Sequence, residues 1–243
     1  MNLGGERMEK ICLITGATGG IGYHLSVGFH NAGYQVIAFD YINHKQLPNG
    51  IKFVKVDLRK PENVKLAISD IVNEFGTIHV LINNAAVTSF QMDIKETSLE
   101  EFDNIVDVSF KGSYLCAREF VRNHKGDYGR IINMASTRAL QNEPDWAIYG
   151  ASKGALISLT NSLAVSLSDS PITVNAVSPG WIQCDDYHLL TEDDHAQHPS
   201  RRVGKPKDIV NACLFLADEE NDFINGHNMV IDGGMNKKMN YLD

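Results

Sequence analysis

The feature that most constrains the fold is a regular alternation of short β-branched runs with longer segments of helical period. Seven runs predict strands, at residues 10–15, 35–40, 51–57, 78–84, 129–136, 172–178 and 227–232. Five segments between them predict helices, at residues 20–33, 61–76, 99–123, 148–168 and 205–218. The alternation therefore predicts an α/β fold of the Rossmann type, with a doubly wound, mostly parallel seven-stranded sheet and helices on both faces.

The chain of 243 residues reads as one domain without repeats or linkers. Residues 1–9 have no apolar core and are expected to form a flexible leader, so the single domain would cover residues 10–243. The one long irregular stretch, at residues 183–203, is polar and acidic. An irregular segment of this length inside a compact domain is often a lid, which is the interpretation adopted for it.

Composition narrows the classes of partner and compartment. The net charge of −8 disfavours a nucleic-acid partner, and no apolar run is long enough to span a bilayer, so we expect neither nucleic acid nor membrane as a partner. Four cysteines are scattered without a CxxC pair, as is typical of a reduced cytoplasmic protein. The chain is thus expected to act on a small molecule in the cytoplasm.

A glycine-rich string, "TGATGGIG", joins the first predicted strand to the first helix. Glycines 16, 20 and 22 let the backbone turn sharply, and the helix start offers free N–H groups to a pyrophosphate. Asp40 ends the second strand, where a carboxylate accepts the adenosine ribose hydroxyls and repels a 2′-phosphate. NAD is therefore the predicted cofactor, while Lys10 and Lys45 keep NADP open as the alternative.

Small and polar residues follow the other predicted strands. "NNAA" (83–86) follows the fourth strand, Ser136 the fifth and "SPG" (178–180) the sixth, and Asp57 closes the third. In an open parallel sheet, ligands bind outside the carboxyl ends of the strands. These motifs, with "YGASK" (149–153) and "SPGWI", resemble the short-chain dehydrogenase/reductase family over residues 10–234, and a tyrosine thirteen residues after the serine is a spacing the family shares.

The resemblance implies roles for three side chains in an alcohol–carbonyl oxidoreduction. Tyr149 would exchange a proton with the substrate oxygen, Ser136 would hold that oxygen, and Lys153 would bind the nicotinamide ribose. Helical spacing of four puts Tyr149 and Lys153 on one face. Because a free phenol titrates near pH ~10, the ammonium and an oxidised nicotinamide are expected to lower the pKa of Tyr149.

The family usually has an asparagine where this chain has Ser109, and that asparagine holds a water in a proton relay from the lysine. Ser109 is therefore assigned to the catalytic set, with an altered relay. The cofactor residues implied by the resemblance, besides Tyr149 and Lys153, are Gly16, Thr18, Gly20, Ile21, Gly22, Asp40, Tyr41, Asp57, Leu58, Asn84, Ala85, Ala86, Pro179, Gly180 and Ile182.

The predicted substrate pocket is polar. Its assigned residues are Thr88, Arg138, Glu143 and Trp181, which suit a sugar, a polyol or a hydroxy-acid-like molecule. Arg138 could clamp a carboxylate or pair with Glu143. His195 and His198 in the lid stand beside acids, but a solvated face is the preferred interpretation and no metal is predicted.

Two other functions stay open on the same scaffold. A dehydratase or epimerase would use tightly retained NAD without net turnover, and a cofactor sensor would need no activated phenol. Ser136, Tyr149 and Lys153 argue against the sensor. By resemblance, a homodimer or homotetramer is expected, assembled through the helices that contain residues 99–106 and 148–156.

Overall fold

The strands form a single parallel sheet in the computed structural model, which describes residues 10–87 and 91–239. The strands are β1 (Ile11–Thr15), β2 (Gln35–Asp40), β3 (Lys52–Lys55), β4 (Val80–Asn83), β5 (Gly129–Met134), β6 (Ile172–Pro179) and β7 (Asn228–Ile231). Their order is β3-β2-β1-β4-β5-β6-β7, and every pairing is parallel. The predicted α/β doubly wound fold is confirmed.

The helices cover both faces of this sheet. They are α1 (Gly20–Asn31), α2 (Pro61–Phe75), α3 (Leu99–Val106), α4 (Gly112–Asn123), α5 (Ala147–Ser166), α6 (Glu192–Ala196) and α7 (Pro206–Ala217). Ile11 and Leu13 of β1 belong to one core cluster, with α2 and α4, whereas Cys12 and Ile14 belong to another, with α1 and α7. Successive strand residues point to opposite faces, so a near-continuous apolar strand supplies both cores.

The chain reverses its direction of winding between β1 and β4, which are neighbours in the sheet. The loops that follow these two strands are tied together, because the Thr15 hydroxyl accepts the N–H groups of Asn84 and Ala85 at 3.0 Å each. The Asn84 amide in turn donates to the carbonyl of Thr15 at 3.0 Å. A crevice at such a reversal is the usual ligand site of a doubly wound sheet.

Two predicted segments differ in detail. The helix expected at residues 99–123 is divided by a π-helical turn at Asp107–Lys111, which separates α3 from α4. A π-helical turn holds one residue more than an α-helical turn, and the hydrophobic periodicity of the sequence cannot reveal so small a change. The proposed lid at 183–203 is not wholly irregular, since it holds a short 3₁₀ turn at Tyr187–Leu189 and the one-turn helix α6. Within the described residues, no helix is long and apolar enough to cross a membrane.

Candidate active site

The segment from the end of β1 to the first turn of α1 requires glycine at two of its positions. A Cβ on Gly22, in the first turn of α1, would lie 1.9 Å from the carbonyl oxygen of Gly16. Gly16 itself has φ +60°, and a Cβ there would lie 2.8 Å from the Cα of Ala85. Gly19, the N-cap residue of α1, has no side chain, so among the described residues no side-chain cap covers the first N–H groups of that helix. This is the cradle that a pyrophosphate requires.

Asp40 is held rigidly at the end of β2. One carboxylate oxygen accepts the amide of Thr18 at 3.0 Å and its hydroxyl at 2.7 Å, and the other accepts the amide of Tyr41 at 2.8 Å. A cavity of about 470 Å³ opens beside it. Seven of the predicted cofactor residues line this cavity: Gly16, Asp40, Tyr41, Asp57, Leu58, Ala85 and Ala86. Its size and its place beside the glycine loop suit an adenosine moiety.

Two cations near that cavity are each engaged by an acid, which sequence reasoning did not foresee. Arg59 makes two hydrogen bonds to Asp57, of 2.8 and 2.9 Å, and these bonds, with a smaller effect of its charge, lower the pKa of the Asp57 carboxyl. Lys45 reaches across to Asp185 in the proposed lid, at 2.8 Å. The two-residue spacing of Asp57 and Arg59 is a local signal from which that ion pair could have been predicted. The Lys45–Asp185 pair has no such signal, because it joins positions 140 residues apart.

Ser136, Tyr149 and Lys153 meet at the carboxyl end of β5. Ser136 follows β5 and Tyr149 lies in the first turn of α5, close enough for the Ser136 hydroxyl to lower the pKa of Tyr149. The ammonium of Lys153 lies 5.6 Å from the centre of the Tyr149 ring and donates to the carbonyl of Met134 at 2.7 Å. Lys153 is 2% exposed and Ser136 is 6% exposed, so both groups act in a site largely removed from water.

A close backbone approach positions Tyr149. Residue 137 begins a 3₁₀ turn, Thr137–Ala139, after which the chain folds back over the start of α5. A Cβ on Gly150 would lie 2.5 Å from the Asn142 side-chain oxygen and 2.9 Å from the carbonyl of Arg138. The glycine of "YGASK" is therefore what lets the loop lie against the helix that carries the tyrosine and lysine.

Burial governs the pKa values of the tyrosine and lysine. Burial raises the pKa of Tyr149, against the hydrogen bond from Ser136 and the charge of Arg138, which lower it. Burial also lowers the pKa of Lys153 to about 8. The expected lowering of the Tyr149 pKa is thus not produced by the protein's own groups, because desolvation of the phenolate outweighs them. It stays a prediction for the complex with an oxidised nicotinamide.

Ser109 is fully buried in the π-helical turn. Its hydroxyl accepts the N–H of Val87 at 3.3 Å, and its carbonyl accepts the hydroxyl of Ser113 at 3.0 Å. These contacts tie the turn to the loop after β4. In the part of the chain that the structure describes, Ser109 makes no hydrogen bond to Lys153, so its place in a proton relay stays a prediction.

A second cavity, of about 690 Å³, contains the other predicted pocket residues. Arg138, Glu143 and Trp181 line it together with Gly180 and Ile182. Arg138 and Glu143 form an ion pair, as the sequence left open. Thr88 lies outside the described residues. Gly180 is needed here because a Cβ would lie 2.7 Å from the Cβ of Asp232.

The two lid histidines differ in exposure. His198 is 1% exposed, with its ring 6.2 Å from that of Trp181, whereas His195 is half-buried and accepts the N–H of Val203 at 3.1 Å. The preferred interpretation of a solvated face was therefore wrong for His198. Residues 183–203 fold back against the strand ends and bury His198. No cluster of three potential metal ligands occurs in residues 10–87 or 91–239.

The buried charge of Lys153 predicts a pH-dependent cost in stability. Its pKa is about 8 in the folded protein and 10.5 in its ordinary state, so between these values the unfolded chain binds more protons and stability rises with pH. Relative to Lys153→Met, the wild type should gain about 1.4 kcal/mol of unfolding free energy per pH unit near the middle of the interval from pH 8 to 10. Denaturant unfolding of both proteins across that interval measures this, and two parallel curves would contradict it.

Comparisons with known proteins identify the family of this chain. A family model described as enoyl-(acyl carrier protein) reductase matches residues 16–236. An uncharacterized oxidoreductase of Thermotoga maritima is 40% identical over 251 residues, covering 96% of this chain and 98% of that protein. The chain belongs to the short-chain dehydrogenase/reductase family, and it is an oxidoreductase of that family.

Solved structures of similar proteins differ in cofactor and substrate. ElxO with NADP bound has a TM-score of 0.86 at 31% identity, covering 95% of this chain and 100% of that one. The Thermoplasma acidophilum aldohexose dehydrogenase has a TM-score of 0.89 at 27% identity, with 97% of each chain covered. A Brucella melitensis 3-ketoacyl-(acyl-carrier-protein) reductase complexed with NADH has a TM-score of 0.85 at 30% identity, covering 94% and 99%.

Proposed function

We propose that this protein is an NAD-dependent oxidoreductase that interconverts a secondary alcohol and a carbonyl on a small polar substrate. The observation that carries the proposal is the meeting of Ser136, Tyr149 and Lys153 at the carboxyl end of β5, with Arg138 of the cavity of about 690 Å³ close enough to lower the pKa of Tyr149. A pure cofactor sensor has no use for a phenol placed beside a hydroxyl and an ammonium.

The bound nicotinamide would accept a hydride from the substrate carbon in oxidation and return one in reduction. The chain's own groups handle the proton. Tyr149 takes it from the substrate hydroxyl or gives it to the carbonyl oxygen, and Ser136 holds that oxygen by hydrogen bonds. Lys153, whose ammonium lies 5.6 Å from the centre of the phenol ring, would bind the nicotinamide ribose, and its positive charge would favour phenolate in that complex.

The choice of NAD over NADP rests on charge beside the adenosine cavity. Asp40 would lie against a 2′-phosphate, Arg59 in the cavity lining is paired with Asp57, and Lys45, next to the lining residue His44, is paired with Asp185. Relatives with this fold use either cofactor, since ElxO carries NADP and the Brucella reductase NADH. The local charge of this chain is therefore the better guide.

We expect kcat/KM with NAD to exceed that with NADP by about 10- to 100-fold, because an anionic wall discriminates against the extra phosphate. Asp40→Ala should reduce that ratio at least tenfold. The assay is nicotinamide absorbance with a panel of hydroxy acids, polyols, sugars and a 3-oxoacyl thioester. A wild type that prefers NADP would refute the cofactor assignment, and a panel without turnover in either direction would shift weight to a sensor.

The proposed quaternary state rests on exposed apolar side chains. Leu99 and Phe102 on α3 and Tyr114 on α4 are 81%, 43% and 44% exposed. Apolar side chains exposed together on adjacent helices favour an interface between copies. The exposed side chains support the homodimer or homotetramer expected through the helices that contain residues 99–106 and 148–156.

A further inference from the structure

The cavity of about 690 Å³ has an unusual charge pattern for a protein of net charge −8. Three ionisable side chains line it: Arg138, Glu143 and Lys238. Glu143 pairs with Arg138, and within residues 10–87 and 91–239 Lys238 has no ion pair. The lining therefore carries one positive charge in excess, although the chain as a whole is acidic. An anion would be drawn to this wall.

The guanidinium of Arg138 stacks on the indole ring of Trp146. Its guanidinium carbon lies 4.0 Å from the centre of the Trp146 ring, and the Trp146 ring lies 5.5 Å from that of Tyr149 in an edge-on arrangement. Stacking on the indole fixes the plane of the guanidinium and leaves its edge free to donate. One indole ring thus separates this cation from the phenol of the reactive site.

The donors of Arg138 are not used up by the protein. Its Nε is buried and has no hydrogen-bond partner among the described residues. Leaving a buried donor unpaired is costly, so such a group usually meets a ligand or water. Its partner Glu143 is 62% exposed at the side chain, and ion pairs that open to solvent are weak. Glu143 can therefore give way to a stronger acceptor.

We propose that the substrate carries a carboxylate one or two carbons from the reacting carbon, and that Arg138 binds it. The substrate class is then a short 2- or 3-hydroxy acid and the matching oxo acid. Arg138 sets specificity, Trp146 positions its guanidinium, and Glu143 occupies it until the carboxylate arrives. This inference rests on the proposed function, since the carboxylate is placed relative to the carbon that Tyr149 serves.

Binding can be tested apart from turnover. The chain has only two tryptophans, Trp146 and Trp181, and both lie at this site, so intrinsic fluorescence reports on it directly. Propionate and propionamide, which have no hydroxyl to oxidise, are titrated in the presence of NAD. Propionate should bind about 10- to 100-fold more tightly than the amide, a preference that Arg138→Gln removes.

Two further variants separate specific binding from general charge. Glu143→Gln removes the competing carboxylate and should tighten propionate binding severalfold, which a merely structural Glu143 would not do. Arg118→Gln is the matched control, since Arg118 is 34% exposed at the side chain and paired with Glu119, against 31% for Arg138. It should leave the preference unchanged.

Kinetics complete the test, using lactate and 3-hydroxybutyrate against their amides. The acids should exceed the amides in kcat/KM by about 10- to 100-fold, with Arg138→Gln reducing the ratio to near one and Arg138→Lys giving an intermediate value. Equal use of acids and neutral polyols by the wild type would overturn the carboxylate proposal and leave the proposed function standing. Arg138-dependent propionate binding without any turnover would support the carboxylate proposal and overturn the proposed function. If binding does not depend on Arg138, the inference is wrong whatever the turnover.

Discussion

Tyr149→Phe is expected to lower kcat by about 10²–10⁴-fold in both directions, while the dissociation constant of NADH changes little. Among the described residues at the carboxyl end of β5, the phenol combines a titratable proton with the neighbouring hydroxyl of Ser136 and the neighbouring ammonium of Lys153. Phenylalanine keeps the ring and its edge contact with Trp146, so the substitution removes the proton and little else.

The measurement is stopped-flow or steady-state nicotinamide absorbance beside a fluorescence titration of NADH. Tyr114→Phe on α4 is the matched control, because it removes a hydroxyl from a half-exposed tyrosine outside both cavities. It should keep full activity. If Tyr149→Phe retains more than about a tenth of the wild-type rate, the assignment of general acid/base catalysis fails.

Gly22→Ala is expected to weaken NAD binding by at least about 100-fold and to lower the unfolding temperature, because one methyl group has no room in the loop. Its Cβ would lie 1.9 Å from the Gly16 carbonyl oxygen and 2.6 Å from the Asn84 side-chain nitrogen. Gly16 has little room of its own, because a Cβ built on it would lie 2.8 Å from the Cα of Ala85. The backbone around Gly16 and Gly22 must therefore shift where the pyrophosphate would bind.

Gly19→Ala offers a control within the same loop. Among the described residues, a Cβ there would come within 4.0 Å of the His44 ring alone, and Gly19 has φ −102°. It should bind NAD within a few-fold of the wild type. Isothermal titration measures the NAD affinity of both variants, and a thermal melt measures their unfolding temperatures. Equal behaviour of the two alanine variants would mean that close packing of the loop does not shape the cofactor site.

Contacts between distant segments could be predicted from the sequence only where the residues belonged to a recognised motif. The spacing of Ser136 and Tyr149 predicted that they share a site, and the structure brings them close enough for the Ser136 hydroxyl to lower the pKa of Tyr149. The π-helical turn around Ser109 and the burial of His198 left no such mark. Both depend on how helices pack against strand ends, which local periodicity does not encode.

What this sequence by itself determined is the alternation of strands and helices, the glycine loop and the order of the motifs, because these depend on local periodicity and backbone sterics. Only the tertiary structure decided the charges that the site presents. Arg59 and Lys45 are neutralised by Asp57 and by the distant Asp185, whereas Arg138 keeps an unpaired Nε. The electrostatic effect of a charged group depends on its burial and on its neighbours in space, which only packing of the whole chain brings together.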